Sequence, residues 1–117
     1  MNIFNPFSIF EKDTGISADA VKHAIDAKEE VVLVDVRTPE EFAQGHISGS
    51  ILLPLQDISK AVALLGNKDQ KIYAYCRSGA RSAQATQFLK SQGFTSVYSM
   101  SGGILAWMHK NYPLVTL

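Results

Sequence analysis

Short apolar runs alternate along the chain with segments in which apolar residues recur every three or four positions. The runs have the composition of strands buried on both faces of a sheet, and they occupy residues 31–34, 51–53, 72–75 and 97–98. The segments between them have the periodicity of helices that bury one face. Strands that alternate with helices favour a parallel sheet covered by helices on both faces. The pattern therefore predicts an α/β fold.

Capping residues mark where the first three helices begin. Ser17 is a good N-cap for a helix that runs to about residue 28. Thr38 is followed by Pro39 at the first helical position and by Glu41 three places after the cap, which together predict a capping box. Asp57 is predicted to cap the third helix.

Glycines mark the ends of the later elements. A fourth helix is predicted over residues 82–92, and Gly93 ends it. Gly102 and Gly103 open a last helix that runs through Trp107, whose side chain we expect in the core.

Length and the N-terminal composition predict one domain with a short arm. The 117 residues are enough for one core and too few for two. We assign residues 1–13 to an N-terminal arm and residues 14–117 to a single domain. Phe4, Phe7 and Phe10 in the arm are expected to fold back onto the domain, and binding of a partner is the alternative. The arm lacks a basic segment and a cleavage-site pattern, so the expected location is the cytoplasm.

Charge and residue types exclude several classes of function. The 11 basic and 11 acidic side chains cancel, so nothing indicates nucleic acid or an anionic membrane as a partner. No apolar run is long enough to span a bilayer. A single cysteine excludes an internal disulfide, and the three histidines are scattered, so neither a metal site nor another cofactor is expected.

The single cysteine, Cys76, lies between a predicted strand and a predicted helix. It begins a short polar loop with the sequence Cys-Arg-Ser-Gly-Ala-Arg, residues 76–81. The unpaired N–H groups at a helix start attract negative charge, and a curled loop can aim more of them at one point. Together with Arg77 and Arg81, these groups are expected to lower the pKa of the thiol. The sequence predicts a thiolate nucleophile, and the alternative is a small buried apolar cysteine.

Asp35 and Arg37 follow another buried strand and are expected at the same edge of the sheet as the loop. Ligands of open α/β sheets bind at this edge, outside the carboxyl ends of the strands. One interpretation is structural: Arg37 pairs with Glu40 or Glu41, and Asp35 accepts hydrogen bonds from loop backbone. The other interpretation is direct contact with substrate.

Two blocks of the sequence resemble the signatures of the rhodanese-like domain. The first block has Leu-Val-Asp-Val-Arg at residues 33–37, Pro-Glu-Glu-Phe at 39–42, Gly-His-Ile-Ser-Gly-Ser at 45–50 and Leu-Pro at 53–54. The second has Tyr-Cys-Arg-Ser-Gly-Ala-Arg-Ser at residues 75–82, Gly-Phe at 93–94, Val-Tyr at 97–98 and Gly-Gly-Ile-Leu-Ala-Trp at 102–107. The resemblance implies a three-layer fold, with a central parallel sheet of about five strands and helices on both faces.

The resemblance also implies a sulfurtransferase. Cys76 would take the outer sulfur of thiosulfate, or of another small anionic donor, and hold it as a persulfide. An outside thiol, cyanide or an acceptor protein would then remove the sulfur, in a ping-pong reaction. The donor-binding residues implied are Arg77, Ser78, Gly79, Ala80, Arg81 and Ser82. The chain departs from the two-domain thiosulfate enzyme of this family in two places: Ser78 replaces a lysine, and Glu41 lies near the place of an arginine.

Two other functions use similar features. Rhodanese-like phosphatases and tyrosine phosphatases have five residues between cysteine and arginine, whereas four separate Cys76 from Arg81. The shorter loop favours a single sulfur atom over a phosphoryl group. Rhodanese-like domains can also serve as binding modules, and exposed low-pKa cysteines can be redox sensors. Inactive modules commonly lack the cysteine and sensors usually have a second one, so both features favour sulfur transfer.

Overall fold

Five parallel strands form one sheet in the structure, a computed structural model that describes residues 15–117. In chain order they are β1 (Gly15–Ile16), β2 (Val31–Asp35), β3 (Ile51–Leu52), β4 (Lys71–Tyr75) and β5 (Val97–Met100). Their order across the sheet is β1-β5-β4-β2-β3, and every neighbouring pair is parallel. The predicted parallel sheet of about five strands is confirmed.

Helices cover both faces of this sheet. They are α1 (Ala18–Asp26), α2 (Pro39–Gln44), α3 (Ala61–Leu65), α4 (Ala80–Ser91) and α5 (Gly103–His109), with a 3₁₀ helix over Leu55–Lys60. One apolar cluster joins the sheet to α1 and α5, and it includes the buried Trp107. The other cluster joins the opposite face to the 3₁₀ helix, α3 and α4. The predicted three-layer α/β fold is confirmed, with Trp107 in the core.

Two of the three predicted helix caps are present. The Ser17 hydroxyl accepts a hydrogen bond from the Ala20 N–H at 3.0 Å. Thr38 and Glu41 form the full capping box: the Thr38 hydroxyl accepts from the Glu41 N–H, and the Glu41 carboxylate accepts from the Thr38 N–H. All three bonds satisfy N–H groups that have no partner within the helix.

The predicted cap at Asp57 is wrong. Asp57 lies inside the 3₁₀ helix, where its N–H donates to the Pro54 carbonyl at 2.8 Å. Its carboxylate lies 3.6 Å from the Lys60 ammonium instead of at a helix start. The chain turns directly after Pro54, so the helical turns begin before the residue that sequence reasoning chose as the cap.

The structure differs from the sequence prediction at two other boundaries. The helix expected from residue 82 begins at Ala80, because Gly79 adopts a left-handed conformation with φ of +113° and serves as its N-cap. Strand β1, only two residues long, was not predicted. The predicted arm, residues 1–13, and its phenylalanines lie outside the described residues. Within residues 15–117, no helix has the length and apolar character needed to cross a bilayer.

Candidate active site

The carboxyl ends of β2 and β4 lie side by side near the middle of the sheet. Asp35 at the end of β2 pairs in register with Tyr75 at the end of β4. Arg37 follows two residues after Asp35, and Cys76 follows Tyr75 directly. The two polar segments singled out in the sequence are therefore brought together at one edge of the sheet.

The sulfur of Cys76 faces backbone N–H groups of its own loop. The Gly79 N–H donates to Sγ at 3.1 Å, and the Ser82 N–H donates at 3.4 Å. The residue is only 1 % exposed and also contacts the apolar cluster beneath α4. An apolar cysteine needs no such donors, whereas a sulfur that carries negative charge is stabilised by them.

Two opposing effects act on the pKa of the Cys76 thiol. Burial is the largest effect, and it disfavours the charged form. Hydrogen bonds from the Ser82 hydroxyl and from the backbone of Ser82, Gly79 and Ser78 favour the thiolate, and they outweigh burial, so the pKa is lowered. The largest favourable contributions are hydrogen bonds. The charges of Arg77 and Arg81, which the sequence argument also invoked to lower the pKa, are not among the largest contributions.

Two buried hydroxyl groups lie beneath the loop. The Ser82 Oγ lies 3.2 Å from the Gly79 carbonyl oxygen, to which its single proton can donate when it is not turned toward Sγ, and 2.7 Å from the Ser99 Oγ. Ser99 is a buried residue of β5. Sequence reasoning missed Ser99, because the predicted strand ended at residue 98, whereas β5 runs to Met100 and buries the Ser99 side chain.

The start of α5 holds the loop from the other side. The Ile104 N–H donates to the Cys76 carbonyl at 2.8 Å, and the Leu105 N–H donates to the Arg77 carbonyl at 3.1 Å. A Cβ on Gly103 would lie 2.4 Å from the Arg77 oxygen and 2.6 Å from the Cys76 oxygen. The loop carbonyls thus bind α5, which leaves the loop N–H groups free to face the sulfur.

Asp35 and Arg37 form a buried ion pair. Arg37 donates from Nε and Nη2 to the Asp35 carboxylate, with the closest contact at 2.7 Å, and from Nη2 to the Gly45 carbonyl. The predicted pairing of Arg37 with Glu40 or Glu41 is wrong, because Asp35 lies closer. The expectation that Asp35 accepts a loop N–H is confirmed by the Arg37 N–H, at 3.0 Å.

Arg81 pairs with Glu41 across the mouth of the site. Its two terminal nitrogens donate to the two carboxylate oxygens at 2.8 and 3.0 Å. The Arg81 hydrogen bonds are the main reason that the pKa of Glu41 falls to about 2. Because 40 residues separate the partners, sequence reasoning did not foresee this pair.

Two shallow grooves lie on either side of these charged side chains. One, of about 260 Å³, has Arg37 and Arg81 in its lining, together with Pro54 and Leu55. The other, of about 320 Å³, has Arg37, Glu41 and Arg77 in its lining, together with apolar residues that include Leu105 and Met108. Among residues 15–117, no three His, Cys, Asp or Glu side chains are grouped as a metal site would need.

A family profile described as the rhodanese-like domain matches residues 17–110. The chain belongs to the rhodanese-like domain family. A sulfurtransferase of Allochromatium vinosum is 40% identical over 100 residues, which are 86% of this chain and 92% of that protein. The thiosulfate sulfurtransferase GlpE of Stutzerimonas stutzeri is 40% identical over 82 residues, 70% of this chain and 73% of that protein.

Solved structures agree with this assignment of the rhodanese-like domain. The crystal structure of a rhodanese-related protein from Thermoplasma volcanium superposes with a TM-score of 0.78 at 31% identity, covering 87% of this chain and 97% of that one. Both of the relatives reported above are named sulfurtransferases, and membership of the rhodanese-like family supports sulfur transfer between a donor and an acceptor.

Proposed function

We propose that this rhodanese-like domain is a sulfurtransferase that carries a sulfane sulfur on Cys76 as a persulfide. The observation that supports this most directly is the pair of backbone N–H groups, from Gly79 and Ser82, that face Sγ. The same donors that favour a thiolate also suit the terminal sulfur of a persulfide, which carries negative charge at neutral pH.

The first half-reaction loads the sulfur. The Cys76 thiolate attacks the outer sulfur of a donor such as thiosulfate, and a new S–S bond forms. The S–S bond of the donor breaks, and its electron pair leaves with sulfite. The charges balance: a thiolate and a dianion give a persulfide anion and the sulfite dianion. The enzyme is covalently modified between the two half-reactions, so ping-pong kinetics follow.

The second half-reaction removes the sulfur. A thiol or cyanide, or a thiol on an acceptor protein, attacks the outer sulfur of the persulfide, and the Cys76 thiolate leaves with the bonding electron pair. Both half-reactions are nucleophilic displacements at sulfur and require no cofactor. Cys76 is the only cysteine in the sequence, so the acceptor thiol has to come from another molecule. We place the reaction in the cytoplasm, where thiols are kept reduced.

The remaining predicted site residues have distinct proposed roles. The backbone of Gly79 and Ser82, together with Ser78 just before Gly79 and Ala80 just after it, forms the cradle for the sulfur. Arg77 is exposed at the start of the loop and is placed to attract an anionic donor. Arg81, at the opposite end of the loop, is bound by the Glu41 carboxylate.

Asp35 and Arg37 have a supporting role in this proposal. Both side chains are buried and bound to each other, and Arg37 also holds the Gly45 carbonyl. The pair fixes the segment after β2 beside the cysteine loop.

Mass spectrometry of the intact protein tests the proposal. After incubation with thiosulfate, or with the persulfide of a small thiol, the wild-type protein should gain about 32 Da, the mass of one sulfur. The gain should disappear with dithiothreitol, and Cys76→Ser should show none. The loaded protein should then lose the sulfur to cyanide and form thiocyanate.

Each rival outcome has its own signature in this experiment. A gain in mass that persists in Cys76→Ser would exclude Cys76 as the carrier. Loading without release to any acceptor would indicate a sensing or binding role. Hydrolysis of an aryl phosphate without sulfur loading would indicate a phosphatase.

A further inference from the structure

The charges around the cysteine loop are more balanced than its arginines suggest. Arg37, Arg77 and Arg81 all reach the edge of the sheet where the loop lies. Arg37 is paired with Asp35, and Arg81 is paired with Glu41. Within residues 15–117, only Arg77 of these three has no carboxylate partner. Three positive charges and two negative ones leave a net charge of about +1 around the loop, before the negative charge of the Cys76 thiolate itself is counted.

The carboxylate of Glu41 is held in place from two sides. Both of its oxygens accept hydrogen bonds from Arg81, at 2.8 and 3.0 Å. One oxygen also accepts from the Thr38 N–H at 3.0 Å, as part of the capping box of α2. The Thr38 hydroxyl donates to the same oxygen at 3.2 Å. The carboxylate therefore cannot swing out to free Arg81 for a ligand without losing four hydrogen bonds.

Glu41 is also electrostatically coupled to the rest of the site. It lies in the lining of the same groove as Arg77 and Arg37. The Arg81 guanidinium that it binds senses both Cys76 and Asp35, since each of them contributes to the raised pKa of Arg81, after the larger effect of Glu41 itself. Because Arg77 follows Cys76 directly, a donor that enters the groove shared by Arg77 and Glu41 comes into the field of the Glu41 carboxylate.

We propose that Glu41 determines the donor specificity of this site, and that it favours a singly charged persulfide over the thiosulfate dianion. This inference rests on the proposed function and names its donor class. A dianion is repelled by a fixed carboxylate twice as strongly as a monoanion at the same position, because Coulomb energy is linear in charge. The leaving group follows the same rule, since sulfite is a dianion and a thiolate is a monoanion.

The chemical step with a persulfide donor balances. The Cys76 thiolate bonds to the outer sulfur of R–S–S⁻, the S–S bond of the donor breaks, and its electron pair leaves with R–S⁻. Two single negative charges enter and two leave. No oxidant or reductant is needed, because the outer sulfur keeps its oxidation state as it moves.

The test compares the two donors in wild type, Glu41→Gln and Glu40→Gln. Glu40 is the neighbouring exposed carboxylate of α2, so Glu40→Gln changes the net charge by the same amount away from Arg81. At low ionic strength, Glu41→Gln should raise kcat/KM for thiosulfate by roughly three- to tenfold, and kcat/KM for the singly charged persulfide of a small uncharged thiol by roughly the square root of that factor, about two- to threefold. Glu40→Gln should leave the ratio of the two values within about twofold of wild type. High salt should reduce the Glu41→Gln effect.

Two further variants separate charge from structure. Glu41→Asp keeps the charge but shortens the side chain, so it should keep the wild-type donor ratio even if both rates fall. Glu41→Ala removes the charge by a second route and should shift the ratio toward thiosulfate, as Glu41→Gln does. Melting temperatures show which variants are folded.

The outcomes distinguish the inference from the proposed function. If no donor loads sulfur on Cys76 of the wild type, the proposed function is wrong. If the wild type does load sulfur, but Glu41→Gln and Glu41→Ala change both donors by the same factor, then Glu41 is structural and the inference is wrong. A ratio that shifts equally in Glu40→Gln also contradicts it, because net charge alone would then explain the change.

Discussion

At the scale of single residues, the site depends on how a buried sulfur is kept ready to ionise. Cys76 is as inaccessible as a core residue, and burial alone raises the pKa of a thiol. Donors from Ser82, Gly79 and Ser78 reverse this effect. Because these donors are short and fixed by the loop, they act without the entropy cost of ordering long side chains.

Removal of the Ser82 hydroxyl should raise the pKa of the Cys76 thiol. That hydroxyl is the largest single contribution that lowers the pKa, and Ser82→Ala leaves the Ser82 N–H in place. Since the thiolate is the reactive form, the pH midpoint of the iodoacetamide reaction should move to higher pH. Below that midpoint the reaction should be slower than in wild type.

Ser91→Ala provides the matched control for this change. Ser91 lies at the other end of α4 and is exposed. Its hydroxyl donates to the Phe88 carbonyl and accepts from the Gln92 side chain, far from the cysteine loop in sequence. The pH profile of the iodoacetamide reaction in Ser91→Ala should overlap that of wild type. A profile for Ser82→Ala that also overlaps wild type would show that the backbone N–H groups alone stabilise the thiolate.

At the scale of secondary-structure elements, the start of α5 is a structural partner of the cysteine loop. Its first N–H groups bind the carbonyls of Cys76 and Arg77, which orients both peptide groups. The close approach requires a residue without a Cβ at position 103, where φ is +60°. Two helix starts thus shape the cysteine loop: N–H groups at the start of α4 face the sulfur, and N–H groups at the start of α5 bind the loop carbonyls.

Gly103→Ala should therefore destabilise the protein and distort the loop. The new Cβ would clash with two backbone oxygens that cannot move without breaking the contact with α5. We expect a loss of about 2–4 kcal/mol in the free energy of unfolding, measured by urea denaturation. The iodoacetamide reaction of Cys76 should also change, because the loop N–H groups shift with the carbonyls.

Gly66→Ala separates steric clash from backbone strain. Gly66 also has a positive φ, +70°, but a Cβ there meets no atom within 4 Å. Gly66→Ala should lower the free energy of unfolding by about 1–2 kcal/mol, from left-handed strain alone, and should leave the reaction of the Cys76 thiol unchanged. Equal costs at the two glycines would mean that the contact between α5 and the loop is not rigid.

The sequence predicted the elements well where the signal was local. The capping box at Thr38 and the loop that begins at Cys76 both depend on residues within a few positions of each other. The errors arose where two residues competed to start the same helix, or where the partners lay far apart in the sequence. Pro54 starts helical turns before Asp57 could cap them, and Glu41 binds an arginine 40 residues away. Strand β1 is too short for any periodicity to show.

At the scale of the whole molecule, the strand order explains why the site is where it is. The chain passes from β2 outward to β3 on one side, and from β4 outward to β5 on the other, where β1 forms the edge of the sheet. The loops after β2 and β4 therefore leave the sheet in opposite directions and open a crevice between them. Cys76 lies after β4, the central strand, so the reactive sulfur is anchored in the most connected part of the sheet.

This position predicts that access to Cys76 depends on the size of the reagent. Cys76 as a residue is 1 % exposed, so a reagent reaches its sulfur only when surrounding groups move. Small shifts of the loop suffice for iodoacetamide, whereas a maleimide that carries a long polymer chain needs β4 and its neighbours to separate.

In increasing urea, the rate with the bulky reagent should rise with the steep dependence of global unfolding, while the rate with iodoacetamide stays nearly flat below the transition. Cys76 is the only thiol in the sequence, so each rate reports on this site alone. Parallel urea dependences would instead mean that even small molecules wait for global unfolding, and a loop that admits a sulfur donor to the native protein would then be excluded.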